Sequence, residues 1–294
     1  MPWMSESNSL FVRIVGVFRR VFPRCGMLSQ AIAFNLFLAF FPTMLFAVGF
    51  ASIWLGPKAA TSDAIREFTS FLPPGSESIV SDFLSRRGTD IWKYAALGGA
   101  GLLFGGAQVM TLLMEGIHLI YGEDEPKGFV RRQLRGLLLL LITIAPILGA
   151  GILGVFGRQI RHWLTQELGQ EMPVHLLWLA FFPLVAMVLA MLALTVIYWV
   201  ARSTKGRLGQ VLPGAAAATS MWWVVNAAFG FYMRRVPYSI VYGGLAAVIG
   251  LLVWMQISSV VVFLGAAWNA QLALEREEVP VLEPAVGVAA RPIG

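Results

Sequence analysis

The chain reads as an all-α polytopic membrane protein: a bundle of six transmembrane helices with an N-terminal interfacial amphipathic helix and an outer helical hairpin loop. Three observations carry that reading. Hydrophobic residues make up 57% of the sequence and charged residues 13%, outside the range of soluble domains. The apolar residues gather into six runs, each long enough for a hydrocarbon core that needs roughly 20 helical residues per crossing. The runs are continuous, so they lack the alternation that gives a membrane barrel strand its two faces.

Residues 1–27 form a cytoplasmic N-terminal segment. Within it Leu10, Phe11, Ile14, Val15, Phe18, Val21 and Phe22 recur at helical spacing, with Ser9, Arg13 and Arg20 opposite. This is the pattern of a helix lying in the membrane interface, its apolar face in the acyl boundary. The transmembrane domain follows over 28–274, with spans predicted at 28–55, 94–121, 134–156, 174–201, 211–233 and 240–274. The first run is of span length and has no small-residue cleavage pattern behind it, so it is read as a retained helix and not a signal peptide.

Between the first two spans, the outer loop 56–93 carries Ala64, Ile65, Phe68, Phe71 and Leu72, then Pro73-Pro74-Gly75, then Ile79, Val80, Phe83 and Leu84. That pattern predicts two short amphipathic helices around a turn, placed either as a lid over the outer mouth or as a cap in the outer headgroups. Residues 275–294 begin with a charged cluster and continue through Pro280, Pro284 and Pro292, which predicts a disordered cytoplasmic tail.

Orientation follows from the basic residues, because Lys and Arg resist translocation. Of the 22, thirteen fall on one side, among them Arg13, Arg19, Arg20, Arg24, Lys127, Arg131, Arg132, Arg135, Arg202, Lys205 and Arg207. That side is assigned to the cytoplasm, which places both termini there. The formal net charge of +6 sits at predicted membrane edges without aromatic interleaving, so its counter-charge is expected to be anionic lipid headgroups and not nucleic acid. The single cysteine, Cys25, excludes an intrachain disulfide and any multi-cysteine metal site.

Small residues four apart recur on the spans, as Gly101/Gly105, Ala150/Gly154, Gly214/Ala218, Gly243/Ala247 and Ala246/Gly250. Such pairs let helix backbones touch where lipid offers no hydrophobic driving force between helices. Pro42, Pro146 and Pro183 interrupt spans and predict bends.

Polar residues inside spans point to function, because burying them in hydrocarbon is costly. Glu115 and His118 lie three apart on the second span, and Gln108 and Thr111 continue their face. Two readings stand side by side. One is a protonatable pair facing a cytoplasm-open cavity, where it couples transport to protons or holds a headgroup. The other is an ion pair of Glu115 with Arg131, Arg132 or Arg135. Asn35, Asn226, Gln256, Ser258, Ser259 and Asn269 either converge on a polar track or bond between helices. The substrate or ion-coupling candidates are therefore Glu115, His118, Asn35, Gln108 and Asn269. No catalytic residue, metal ligand set or cofactor is predicted: the sequence has no phosphate loop, H-E-x-x-H or G-x-S-x-G motif, and His162 and His175 lack partners at ligand spacing.

The stretch Tyr242-Gly243-Gly244-Leu245-Ala246-Ala247, with Trp254, Leu264-Gly265-Ala266 and Asn269-Ala270, resembles the closing segment of the YihY/BrkB family of bacterial inner-membrane proteins. Ala33-Phe34, Phe41-Pro42, Ile120-Tyr121-Gly122, Gly214-Ala215, Trp222, Phe229 and Tyr232 extend the resemblance over roughly residues 28–272. The sequence departs from the family at Ala267, where relatives often carry an acid, at His118, where asparagine is usual, and after Tyr198, where a proline is common. The resemblance implies a six-helix bacterial inner-membrane protein with cytoplasmic termini, in a family that has carried virulence-factor and ribonuclease labels.

The expected function is transport or export of an amphiphilic or lipid-like envelope compound, with membrane lipids as partners. A structural or assembly factor for the cell envelope is the alternative. A membrane enzyme or ribonuclease is the least favoured, because no carboxylates or histidines cluster to hold a metal ion or an acid–base pair on a phosphodiester.

Overall fold

The computed structural model describes residues 13, 15–19, 21–22, 24–55, 91–123, 128–146, 171–202, 207–235 and 244–278. All regular structure among these residues is helical. The long helices are α1 (Arg24–Leu55), α2 (Ile91–Tyr121), α3 (129–146), α4 (Glu171–Ala201), α5 (Leu212–Arg235) and α6 (Gly244–Glu278), with a 3-10 turn, Leu208–Gln210, ahead of α5. Four stretches within them are long and apolar enough to cross a membrane: Cys25–Phe46, Trp92–Tyr121, Leu184–Ala201 and Val248–Glu275. Fully apolar helices of this length have one face for their neighbours and one for lipid. Phe34, Leu38 and Phe41 on α1, Leu184, Val188 and Leu192 on α4, and Ile249, Val253 and Ile257 on α6 form exposed stripes at helical spacing.

Close backbone approach holds α1 to α2. A methyl added at Gly105 would stand 2.8 Å from the Ala39 Cβ, one at Gly101 2.6 Å from the Pro42 Cβ, and one at Gly49 2.8 Å from the Ala95 Cβ. Rising numbers on one helix meet falling numbers on the other, so the pair is antiparallel. The helix continues through Pro42, whose ring fills the surface that Gly101 leaves open. On the other side of α2, Gly136 of α3 lies against Ala107 and Thr111, and Leu140 packs on Gly106, again antiparallel.

A second seam joins α4, α5 and α6. Gly214 of α5 touches the backbone of Gly265 of α6, and a methyl at Gly265 would stand 2.6 Å from the Ala218 Cβ and 2.5 Å from the Tyr198 hydroxyl. That hydroxyl donates to the Val262 carbonyl at 2.6 Å. Further along the α5/α6 pair, Trp254 Nε1 donates to Asn226 Oδ1 at 2.7 Å and Trp222 Nε1 to Ser258 Oγ at 3.2 Å. The core between the seams is apolar, with Ile32, Ile117, Leu139, Tyr198 and Phe263 fully buried. Phe263 seats its ring on Gly116 of α2, linking the seams.

The N-terminal segment differs from a simple surface helix. Val15, Phe18 and Phe22 are exposed, with the Phe18 and Phe22 rings stacked at 6.2 Å. Val17 and Val21 instead turn into the bundle and join Cys25 in the core. Arg13 pairs with Glu275 at 2.9 Å, and Gly16 lies against Gln271. The apolar residues cover an arc wide enough for two faces, one exposed and one against the bundle. Leu10, Phe11 and Ile14 lie outside the described residues.

At the other terminus, α6 runs to Glu278, so the first residues assigned to a disordered tail are helical. Leu, Glu and Arg are good helix formers, and Glu275 is held by Arg13. The outer loop 56–90, the small-residue pair Ala150/Gly154, Gly243 of the pair Gly243/Ala247, and the tail beyond Glu278 lie outside the described residues.

Candidate functional site

Charged side chains collect at the end of the bundle where α1 begins and α2 ends. The last turn of α2 builds the centre of this cluster. Gly122 takes φ +68, a left-handed conformation that glycine adopts without steric cost. The Glu123 N–H then bonds the His118 carbonyl at 3.0 Å and the Gly122 N–H the Leu119 carbonyl at 3.4 Å, closing the helix with a Schellman cap. The reversal folds Glu123 back over its own helix. Its carboxylate stands 4.0 Å from His118 Nε2 and 3.9 Å from Arg202 Nε, just past the end of α4. The Arg202 guanidinium also lies 4.5 Å from the centre of the Tyr121 ring, a cation–π distance. The Tyr121 hydroxyl is buried beside it without a hydrogen-bond partner among the described residues.

On the adjoining face, Glu115 Oε2 faces Arg132 of α3 at 3.6 Å. Of the three arginines that could have paired with it, the structure selects Arg132, because Gly136, one turn on, lets α3 lie close against Thr111 and Ala107. Both partners keep about a third of their side-chain surface in solvent, at 29% and 34%. The separation exceeds the roughly 2.7–2.9 Å of a direct charge-assisted bond, so the two charges oppose each other without locking.

The five candidates separate. Glu115 and His118 belong to the one cluster, Glu115 at its half-exposed rim and His118 buried within it. Gln108 lies further along α2, half-buried, and Thr111 between them donates to the Ala107 carbonyl of its own helix at 2.8 Å. Asn35 donates within α1, to the Ala31 carbonyl at 2.8 Å. Asn269 is buried and engaged at both ends: its Oδ1 accepts from the Gly214 N–H at 2.7 Å and its Nδ2 donates to the Val211 carbonyl at 2.8 Å. It caps the start of α5 from a neighbouring helix. Asn226, Ser258 and Ser259 likewise bond a neighbour or their own helix.

Sequence reasoning missed Tyr121, Glu123 and Arg202. A glycine directly after an apolar run, followed by an acid, signalled the cap and the returning carboxylate. Nothing in the sequence signalled Arg202 as its partner. Among the described residues no three His, Cys, Asp or Glu side chains gather as a metal site would require.

A family model described as "Virulence factor BrkB" matches residues 22–286. The chain belongs to the BrkB family. Among this BrkB-family protein's relatives is the "Putative ribonuclease-like protein YfkH" of Bacillus subtilis, 25% identical over 87% of this chain and 92% of the relative. A "UPF0761 membrane protein" of Nitrosospira multiformis is 25% identical over 85% of this chain and 58% of the relative. Another, from Xanthomonas oryzae, is 29% identical over 74% of this chain and 50% of its own length. The BrkB-family chain thus spans between half and three-fifths of the length of the UPF0761 relatives. No solved structure matches it. Family and helices together make this a membrane protein.

Proposed function

We propose that this BrkB-family chain is a transporter or exporter of an amphiphilic, lipid-like envelope compound in the bacterial inner membrane, crossing it with six helices and keeping both termini in the cytoplasm. The observation that carries the reading is the Glu115–Arg132 pair. Two opposite charges 3.6 Å apart, each about a third exposed at the end of an apolar bundle, offer a charged headgroup both an acceptor and a donor. An ammonium or hydroxyl would go to Glu115 and a phosphate or carboxylate to Arg132, while the chains of the amphiphile stay against apolar helix surface. Behind this rim, Glu123 ties α2 to the Arg202 end of α4, so displacement of α2 reaches a second helix.

The orientation rests on the excess of basic residues at this end, among them Arg131, Arg132, Arg135, Arg202 and Arg207. Extraction into native-lipid nanodiscs followed by mass spectrometry tests the function. An amphiphile retained in stoichiometric amount by the wild type and lost from Glu115→Ala supports the reading. Identical bulk lipid in both counts against it.

A structural or assembly role in the envelope is the second reading, and the α4/α5/α6 seam favours it. There Asn269, Tyr198 and Trp254 each spend their polar atoms on neighbouring helices, and Asn226 gives its amide oxygen to Trp254, as a rigid scaffold would. A ribonuclease is the least supported. Glu115 and Glu123 each face an arginine, whereas a phosphodiesterase needs carboxylates or histidines directed at metal ions or the scissile group.

A further inference from the structure

The outward face of α3 is unlike the exposed stripes of α4 and α6. Arg131 and Arg135, one turn apart, are exposed at its first turns, and Leu138 and Ile142 continue the same side along the helix, flanked by Leu134 and Leu141. The opposite side is wholly committed to the bundle: Gly136, Leu139, Leu140 and Thr143 are buried and Arg132 serves Glu115. One face therefore presents two positive charges at the start of the helix directly in line with an apolar stripe further along it, on a helix of a membrane protein.

We propose that this face is a docking site for an anionic phospholipid, its phosphate between Arg131 and Arg135 and an acyl chain along Leu134, Leu138 and Ile142. Charge complementarity selects this occupant. Guanidinium groups match phosphate geometry and keep their charge, while the apolar residues along the same face exclude a soluble anion as the natural ligand. The stripes on α4 and α6 share the apolar half of this pattern but have no exposed arginine pair within them. The site is distinct from the Glu115 rim, which lies on the other side of α3, and it stands without the transport reading.

Each basic side chain near a membrane surface favours an anionic lipid by on the order of fivefold, so the pair should give roughly twenty-five-fold. The test uses the full chain in phosphatidylcholine nanodiscs containing a minority of phosphatidylglycerol, with native mass spectrometry counting retained lipid. The wild type should retain phosphatidylglycerol at about that preference, and Arg131→Gln/Arg135→Gln should lose nearly all of it. Arg131→Lys/Arg135→Lys should keep a reduced preference, and Arg207→Gln, another exposed arginine, should keep it in full. Glu115→Ala should also leave it unchanged, which separates this site from the proposed transport site. Equal losses in Arg207→Gln and the double variant would reveal general surface charge only and overturn the proposal. So would retention by the double variant, or a wild type without preference. Should the Gln variant not fold, the Lys variant decides: a preference equal to that for neutral lipid overturns the site.

Discussion

Asn269 of α6 holds the first turn of α5 with both ends of its amide, accepting from the Gly214 N–H at 2.7 Å and donating to the Val211 carbonyl at 2.8 Å. A helix start leaves N–H groups that hydrocarbon cannot satisfy, so this one side chain does work that water or a capping serine does elsewhere. Asn269→Ala should lower stability by about 1–3 kcal/mol, because the buried Gly214 N–H loses its partner while the Val211 carbonyl keeps only the Ala215 N–H. Asn269→Asp sets a carboxylate oxygen against the Val211 carbonyl and buries a charge, so it should destabilise at least as much as alanine. Thermal unfolding in nanodiscs measures both, and an alanine variant as stable as wild type would show that the cap is dispensable.

The backbone contact at the same seam makes a steric prediction. A methyl on Gly265 meets the Tyr198 hydroxyl, the Ala218 Cβ and the Gly214 carbonyl at 2.5–2.6 Å, whereas one on Gly209 meets nothing within 4 Å. Gly265→Ala should therefore cost about 1–3 kcal/mol by forcing α4 and α5 away. Gly209→Ala is the matched control and should be close to neutral in the same unfolding assay.

Glu123 reaches His118 and Arg202 only because Gly122 turns the chain back at φ +68. Gly122→Ala should cost about 1–2 kcal/mol for forcing an L side chain into the left-handed region. The last turn of α2 should then fray, seen as faster hydrogen exchange at the Gly122 and Glu123 amides. Unchanged exchange there would contradict the role given to the cap.

Glu115 and Arg132 are each about a third exposed and 3.6 Å apart, so their pairing contributes little to folding. Glu115→Ala should change stability by no more than about 1 kcal/mol. Any large effect of the variant on bound amphiphile or on transport would then be functional in origin. A collapse of stability would instead mark Glu115 as structural.

The Trp254–Asn226 hydrogen bond joins α5 to α6 within apolar segments. A double-mutant cycle with Trp254→Phe and Asn226→Ala should return a coupling of about 0.6 kcal/mol, with a ceiling near 1.7, the range of interhelical bonds in membrane proteins. Zero coupling would mean that the two side chains act independently.

The sequence by itself determined the helical class, the positions of the apolar helices and the family. Each depends on properties that survive averaging over many residues: long apolar runs can satisfy their backbone in lipid only as helices. It also put Glu115 and His118 on one face and named Arg132 among three partners for Glu115, because both relations are local in sequence. Only the tertiary structure decided the rest. Which arginine meets Glu115 depends on how closely α3 lies on α2, which Gly136 sets. That Asn269 caps another helix, that Val17 and Val21 turn inward while Phe18 and Phe22 face out, and that Arg202 meets Glu123 are all consequences of packing between distant segments. Among apolar helices of similar composition, no one-dimensional pattern distinguishes the face that meets a neighbour from the face that meets lipid. Small residues and a few directed hydrogen bonds make that choice, and they act only when the helices are brought together.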